Sequence, residues 1–355
     1  MLSEVVRIGT RLVGPGQKVF IIAEAGVNHN GDIEIAERLV DASVEAGADA
    51  VKFQTFRADA LASRFAPLAE YQQQAQEADS TSDTQLEMLR GLEFTAEQFT
   101  HLQQYCLQHD IIFLSTPFDS ESTDLLVSLG VPALKAGSGE VTNIPFLKEL
   151  SSHGLPLILS TGMSTIEEVR EAVAAVEVQG APLILLHCTS NYPAAIEDLN
   201  LRAIPMLARE TGLPIGYSDH SNNLSTPVAA VALGACVLEA HLTLDRGLSG
   251  PDHQASLDPA GFAEYVRLVR EAETILGDEV KRPSKAELET ARVVRKSLVA
   301  ARNMGAGDVL DGDSMLIKRP GTGIPPARLG DVVGRRLKQS LEEDEVITWS
   351  HLEAE

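Results

Sequence analysis

Short apolar runs alternate with longer amphipathic segments along the first three quarters of the chain. The runs are rich in Val, Ile and Leu, which predicts buried parallel strands. We predict eight strands, at 19–24, 50–54, 111–115, 132–136, 156–160, 182–188, 213–217 and 235–241. The segments between them repeat apolar residues at helical spacing; examples are 33–46, 96–109, 119–129, 164–178, 198–210 and 259–276.

Eight strand–helix units in about 260 residues predict an α/β protein with a (β/α)8 TIM barrel. A doubly wound open sheet is the alternative, and the lack of a GxGxxG turn favours the barrel. From about residue 280 the apolar runs shorten and Gly and Pro become frequent. We therefore predict a barrel over 1–280, a linker at 281–290 and a small β-rich domain over 291–355.

Polar side chains stand at the C-terminal end of every predicted strand. The set comprises Glu24, Lys52, Gln54, Thr116, Lys135, Ser138, Ser160, Tyr192, Ser218, His220, Glu239 and His241. In a TIM barrel this end carries the active site. A single Ser or Thr is also explained as a helix cap, and Thr116 fits that alternative well. The pattern as a whole indicates a catalytic face.

His220 and His241 end neighbouring strands, which lie about 4.8 Å apart, so both imidazoles can reach one point. Two histidines beside carboxylates predict a divalent transition metal. The alternative is that one of them is a hydrogen-bonded core residue. Lys52 and Lys135 lie inside strands and can bind a phosphate or carboxylate at the barrel mouth, or else pair with a glutamate. These groups together favour metal-assisted chemistry between a phosphorylated anion and a polyol or aldehyde.

Composition narrows the possible partners. The 355-residue chain has a formal net charge of −22, which argues against nucleic acid and acidic membranes as partners. No apolar run approaches the length of a membrane span. The three cysteines show no CxxC spacing, so we expect reduced thiols and a cytoplasmic location.

Several ordered motifs closely resemble the sialic acid synthase family. They are FIIAEAGVNHNGD (20–32), GADAVKFQT (47–55), STPFD (115–119), KAGSGE (135–140), LSTGM (159–163), LLHCTSNYP (185–193), GYSDHS (216–221) and GPDHQASL (250–257). The stretch 299–324 is similar to the family's antifreeze-protein-like (SAF) domain. The resemblance implies a TIM barrel that condenses phosphoenolpyruvate with open-chain N-acetylmannosamine, giving a nine-carbon 2-keto acid and phosphate.

The resemblance also implies roles for individual residues. His220 and His241 match the ligands of Mn2+, or of another divalent ion such as Mg2+ or Co2+, and Glu24 is the candidate for ordering water or a sugar hydroxyl. The phosphoenolpyruvate positions are Lys52, Lys135, Ser138, Ser160 and Ser218, and the sugar positions are Glu24, Gln54, Tyr192 and Asp252. Thr116 is a further candidate for substrate binding. Arg319 matches an arginine that reaches the sugar from another subunit, which implies a domain-swapped homodimer.

Ser190 departs from some family members, which carry Asn at that position. The acceptor is therefore left open between N-acetylmannosamine, our first choice, and a 6-deoxy diacetamido sugar that leads to legionaminic or pseudaminic acid. A synthase of a seven- or eight-carbon keto-deoxy acid phosphate is disfavoured, because only two strand-end lysines are available for two phosphates. A non-catalytic carbohydrate-binding protein would leave the strand-end histidines unexplained.

Overall fold

All eight predicted strands form, and they build one parallel sheet. The structure is a computed structural model that describes residues 5–66 and 84–354. Its strands are β1 (Val6–Ile8), β2 (Arg11–Val13), β3 (Phe20–Gly26), β4 (Ala50–Thr55), β5 (Ile112–Pro117), β6 (Leu134–Ala136), β7 (Leu157–Ser160), β8 (Leu183–Cys188), β9 (Ile215–Asp219), β10 (Val237–His241), β11 (Ser297–Ala300) and β12 (Met315–Lys318). The chain divides into two compact units, Met1–Gly277 and Asp278–Glu355.

The order of the parallel sheet is β5-β4-β3-β10-β9-β8-β7-β6, and its end strands β5 and β6 contact each other. The sheet is therefore a nearly closed barrel, and the open-sheet alternative is wrong. The barrel's first strand, β3, pairs with its last, β10, and this register aligns Glu24 with His241.

The helices of this unit follow the strands of the barrel, and the longer ones cover its outside. They are Ile33–Ala46, Ala58–Leu61, Gln85–Arg90, Ala96–Gln108, Ser120–Leu129, Ile144–Ser152, Ile166–Glu177, Ala203–Thr211, Ser225–Ala232 and Pro259–Leu276. Capping residues determine where several of these helices begin. Asp32 caps the first helix, and Thr165 forms a capping box with Glu168. Apolar helix faces pack on outward strand residues such as Ile21 and Phe53, which are fully buried.

The inside of the barrel is apolar near the N-terminal ends of the strands. Successive inward positions alternate along each strand, as the two-residue repeat requires. One cluster contains Phe20, Ile22, Ala50, Leu114, Ala133, Ile158, Ile184, Leu186 and Val237. Gly216 makes room for it, since a Cβ there would lie 2.5 Å from Leu186 Cδ2.

The β1–β2 hairpin, which the sequence analysis did not predict, closes this end of the barrel. Its buried residues Val6, Ile8 and Val13 join the same internal cluster. Their alternation with exposed positions is a strand signal, but each strand is only three residues long.

The second unit is small and rich in turns, as predicted. The strands β11 and β12 pair antiparallel, and isolated bridges such as Val299–Val346 and Leu337–Leu352 extend the β structure. Its helices are Lys285–Val294 and Leu329–Val332, and the first of these overlaps the predicted linker. A separate core is formed by Leu298, Ala300, Met304, Leu310, Met315, Ile324, Val332, Leu337, Leu341, Ile347 and Leu352. Among the described helices of the whole chain, none combines the length and apolar character that a membrane span requires.

Candidate active site

A cavity of about 390 Å³ opens at the C-terminal ends of the barrel strands. Of the thirteen residues that were predicted to have a catalytic, metal-binding or substrate-binding role, twelve line it: Glu24, Lys52, Gln54, Thr116, Lys135, Ser138, Ser160, Tyr192, Ser218, His220, His241 and Asp252. Each lies on a strand of the barrel or in the loop that follows one. Arg319 is in the second unit, in a cis peptide bond with Pro320, and its part in the site stays a prediction.

A network of buried charges crosses the floor of the cavity. Lys52 Nζ lies 2.5 Å from Glu24 Oε2 and 3.7 Å from Glu239 Oε2, and Lys135 Nζ lies 3.8 Å from Glu239 Oε1. Both lysine side chains are only 3% exposed, so neither ammonium can rely on bulk water. The pairing of strand lysines with a glutamate, which was the alternative to anion binding, is therefore present. Glu239 lies between the two lysines and serves as counterion to both.

Burial and neighbouring charges set the protonation of this network. Burial alone would raise the pKa of Glu239, but Lys135 and Lys52 lower it to about 2, so this carboxylate is ionised at neutral pH. For Lys52, burial is outweighed by Glu239 and Glu24, which raise its pKa. Burial lowers the pKa of Lys135. Burial also raises the pKa of Glu24 to about 7, against the effect of Lys52, so Glu24 can exchange a proton near neutral pH.

Hydroxyl groups surround the two ammonium groups. Lys52 Nζ donates to Thr116 Oγ1 at 3.0 Å, and Lys135 Nζ donates to Ser160 Oγ at 2.7 Å. Ser218 Oγ donates to Glu239 Oε1 at 2.9 Å. Two cations among hydroxyl donors make this floor complementary to a small anion such as a carboxylate or phosphate.

The loop after β7 approaches this floor closely. The Gly162 amide donates to Ser138 Oγ at 3.0 Å. A Cβ at Gly162 would lie 2.2 Å from Ser190 Oγ and 2.8 Å from Cys188 Sγ, so only glycine fits there. Several small polar side chains thus meet at one backbone N–H beside the lysines.

The two predicted metal-binding histidines do come together. The ring centroids of His220 and His241 lie 5.4 Å apart, and that of Tyr192 lies 4.2 Å from His220. Burial lowers the pKa of His220 to about 4 and that of His241 to about 3, so both imidazoles are neutral at pH 7. The hydrogen bond of His220 Nδ1 with the Thr189 carbonyl, at 2.8 Å, requires the proton on Nδ1. His220 Nε2 therefore carries the lone pair and lies 3.3 Å from Ser218 Oγ, whose proton is donated to Glu239.

The donor set fits a divalent ion whose shell is completed by substrate or water. His241 Nδ1 is buried without a hydrogen-bond partner and lies 4.0 Å from Asp252 Oδ2. Neutral imidazoles are the form that binds metals, and the carbonyl bond of His220 is a typical outer-shell contact. Within residues 5–66 and 84–354, no three His, Cys, Asp or Glu side chains are arranged as a complete protein metal site. An ion here would therefore keep open positions.

The predicted sugar-binding groups lie beside the charged floor. Gln54 Nε2 donates to Glu24 Oε1 at 3.2 Å, which orients this carboxylate. Burial raises the pKa of Asp252 to about 6. Two further histidines lie in loops near these groups and contact other residues of the protein. His253 hydrogen-bonds Thr243 and Asn30, and His29 stacks on Phe94.

Some residues of the cavity had no predicted role. Glu239 was predicted only as one of the polar residues at the strand ends, because its place between Lys52 and Lys135 depends on how the strands align in the barrel. Cys188 also lines the cavity, and burial raises the pKa of its thiol, so it is not an activated nucleophile. An apolar side of the cavity was missed as well. Its helical segment, Gln85–Arg90, carries no chemical motif in the sequence.

Comparison with known proteins identifies the family of the chain and several relatives. The model of the NeuB family matches residues 39–281, and that of the SAF domain matches residues 295–353. The chain is 46% identical to N,N'-diacetyllegionaminic acid synthase of Legionella pneumophila, over 98% of each chain. It is 37% identical to N-acetylneuraminate-9-phosphate synthase of Homo sapiens, over 95% of this chain and 93% of that one. A crystal structure of N-acetylneuraminic acid synthetase from Leptospira borgpetersenii, in complex with citrate, superposes with a TM-score of 0.72 at 35% identity and covers 81% of this chain and 95% of that one.

Proposed function

The chain belongs to the NeuB family of phosphoenolpyruvate-dependent condensing enzymes, and on that premise we propose that it is an N,N'-diacetyllegionaminic acid synthase. Its acceptor would be the open-chain aldehyde of a 6-deoxy diacetamido hexose. The products would be a nine-carbon 2-keto acid and inorganic phosphate.

The high identity to the Legionella pneumophila enzyme over nearly the whole of both chains carries this choice. It favours the second of our two acceptors over N-acetylmannosamine, the first choice of the sequence analysis. The human relative, whose product is a phosphorylated N-acetylneuraminate, is less similar. N-Acetylneuraminate synthesis is therefore the competing proposal.

The charged floor is suited to hold phosphoenolpyruvate. Lys52 and Lys135, with the hydroxyl groups of Thr116, Ser138, Ser160 and Ser218, would bind its carboxylate and phosphate groups. Glu239 is the counterion of both ammonium groups, and its charge opposes the effect of burial on the pKa of each lysine. Fixing the enol in this way positions its C3 for attack on the aldehyde carbon.

The reaction forms one carbon–carbon bond and breaks one carbon–oxygen bond. C3 of phosphoenolpyruvate bonds to the aldehyde carbon, and water adds to the cationic C2. The tetrahedral adduct then expels phosphate and leaves the 2-keto acid. Glu24, with a pKa near 7, is our candidate for accepting the proton of that water or orienting a sugar hydroxyl. Gln54, Tyr192 and Asp252 would hold the sugar.

His220 and His241 would hold the divalent ion, for which Mn2+ is our first proposal. When bound, such an ion supplies Lewis-acid polarisation of the aldehyde oxygen. Burial keeps both imidazoles neutral and so prepares them for this role without a proton to displace.

We also propose that the enzyme is a homodimer in which Arg319 of each chain binds the sugar in the other subunit's site. The support is that Arg319 lies within residues 295–353, which match the SAF domain, in a stretch whose sequence resembles that of the family. A cytoplasmic location is supported by Cys106, Cys188 and Cys236, which are all buried and free.

One experiment tests the proposed reaction. The purified protein is offered phosphoenolpyruvate, Mn2+ and either a 6-deoxy diacetamido hexose or N-acetylmannosamine. Released phosphate is measured, and the keto acid is identified by mass. We expect the diacetamido acceptor to give the higher kcat/KM. Efficient turnover of N-acetylmannosamine alone would contradict the proposal.

A further inference from the structure

One side of the active-site cavity is apolar and takes no part in the chemistry described above. Six of its lining residues belong to a single hydrophobic cluster, and we call them the apolar wall: Val27, Leu61, Met88, Leu89, Leu92 and Phe118. This cluster is distinct from the two cores of the barrel. Leu89 and Leu92 are buried, whereas Leu61 and Met88 are partly exposed and face the space that a ligand can enter.

The wall is built by the loops that follow β3, β4 and β5. Val27 comes directly after β3, and Phe118 directly after β5. The other four residues belong to the long connection between β4 and the helix Ala96–Gln108. The wall therefore rises beside Glu24 and Gln54, on one side of the charged floor.

The histidines lie on the other side of Glu24. His220 follows β9 and His241 ends β10, and the sheet order then runs from β10 to β3 to β4. The separation of β10 from β4 is about 10 Å at the usual strand spacing, which is of the order of an extended six-carbon chain. An acceptor whose aldehyde lies at the histidines can therefore place its far end against the apolar wall.

We propose that the apolar wall binds the far end of the acceptor sugar and selects a 6-deoxy sugar that carries a methyl group there. The inference rests on the proposed function and names the part of the site that chooses the acceptor. A methyl group against Leu61 and Met88 buries apolar surface, whereas a hydroxyl at the same carbon would lose hydrogen bonds to water. Gln85, which also lines the cavity, offers an amide for the second acetamido group.

The charges of the cavity argue against a phosphorylated acceptor. Of the described residues that line it, Lys52 and Lys135 are the only lysines or arginines, and both lie on the floor that phosphoenolpyruvate requires. The apolar wall has no cation with which to bind a second phosphate. A terminal phosphate placed there would be desolvated without a counterion among the described cavity residues of the same chain.

The test compares a 6-deoxy diacetamido hexose with its otherwise identical 6-hydroxy counterpart. Phosphate release gives kcat/KM for each sugar with the full-length wild-type enzyme and with Met88→Gln. We expect wild type to prefer the deoxy sugar by about 10- to 100-fold, as apolar pockets discriminate by such factors. Met88→Gln puts an amide of similar length into the wall and should lower this ratio by about tenfold.

Three controls distinguish a change in sugar recognition from general damage to the enzyme. Met88→Leu keeps an apolar side chain and should retain the ratio. Met163→Gln makes the same chemical change in the loop after β7, outside the apolar cluster, and should also retain it. The KM for phosphoenolpyruvate and the melting temperature should be the same in Met88→Gln and wild type.

The outcomes distinguish the two proposals. If both diacetamido sugars are used but Met88→Gln keeps the wild-type ratio, the apolar wall is not the selecting element and the proposed function stands. If neither diacetamido sugar is used while N-acetylmannosamine is, the proposed function is wrong and the selection of a 6-deoxy sugar is wrong with it.

Discussion

The barrel interior has two halves, which the same eight strands build. The lower half, at the N-terminal ends of the strands, is apolar, and the upper half, at their C-terminal ends, is polar and charged. Along β3 the inward residues are Phe20, Ile22 and then Glu24, and along β10 they are Val237, Glu239 and then His241. Below, apolar side chains fill the barrel and the N-terminal hairpin covers them. Above, charged and polar side chains surround a cavity. A shift of two residues along one strand thus changes the role from packing to chemistry.

The two halves contribute differently to folding and to function. Burying apolar side chains such as Ile158 and Ile184 stabilises the fold, because their surface leaves water. Burying Lys52, Lys135 and Glu239 gains little net stability, since desolvation opposes the attraction between the charges. We therefore expect substitutions in the upper half of the barrel to affect turnover, and substitutions in the lower half to affect stability.

The largest loss of turnover should come from His241→Ala. If His220 and His241 hold the ion, as we propose, the loss of one ligand should abolish metal binding and lower kcat/KM by about 10³-fold, which corresponds to about 4 kcal/mol of lost transition-state stabilisation. Bound metal is measured after dialysis, and phosphate release after addition of Mn2+. His109→Ala, at a partly exposed helix end, is the matched control and should behave as wild type. Full metal-dependent activity in His241→Ala would contradict the proposal that His241 binds the metal ion.

Glu24→Gln should lower kcat/KM by about 10²-fold, a typical contribution of a positioned acid–base group. Because burial raises the pKa of Glu24 to about 7, the wild-type carboxylate gains a proton as the pH falls below 7. If Glu24 accepts a proton in the reaction, wild-type kcat/KM should fall below about pH 7. The pH profile of Glu24→Gln should lack that step, and an unchanged profile would contradict the role.

Arg319→Ala should raise the KM for the sugar by about tenfold, as expected for one lost charge-assisted hydrogen bond, and leave the KM for phosphoenolpyruvate unchanged. Mixing two variants tests whether Arg319 of one subunit acts in the active site of the other. Heterodimers of Arg319→Ala with His241→Ala would contain one site with both residues intact. Their activity should exceed that of either variant alone, and the lack of any gain would contradict the swapped dimer.

Ile158→Ala should change turnover least. This fully buried residue lies in the lower half, two residues before Ser160. Its truncation should reduce the free energy of unfolding by about 2–5 kcal/mol because a cavity remains. The kcat/KM of the folded enzyme should stay within about twofold of wild type. Urea denaturation and phosphate release measure the two effects. A large loss of kcat/KM without loss of stability would contradict the assignment of the lower half to stability alone.

Much of the barrel could be predicted from the sequence, because strand positions depend on local apolar runs and their spacing. The polar strand ends were visible for the same reason, and twelve of the predicted residues do line one cavity. The hairpin was missed because its three-residue strands give too short a pattern. The apolar wall was missed because its residues are of the types found in any hydrophobic core. The sequence does not show that they line a cavity.

The sequence by itself determined which residues point into the barrel, since alternation along a strand is a local property of the backbone. It also determined that polar groups stand at the strand ends. Only the tertiary structure decided that Glu239 lies between Lys52 and Lys135, and that burial shifts the pKa of Glu24 and of both histidines. The reason is that register between strands and exclusion of water depend on residues far apart in the chain.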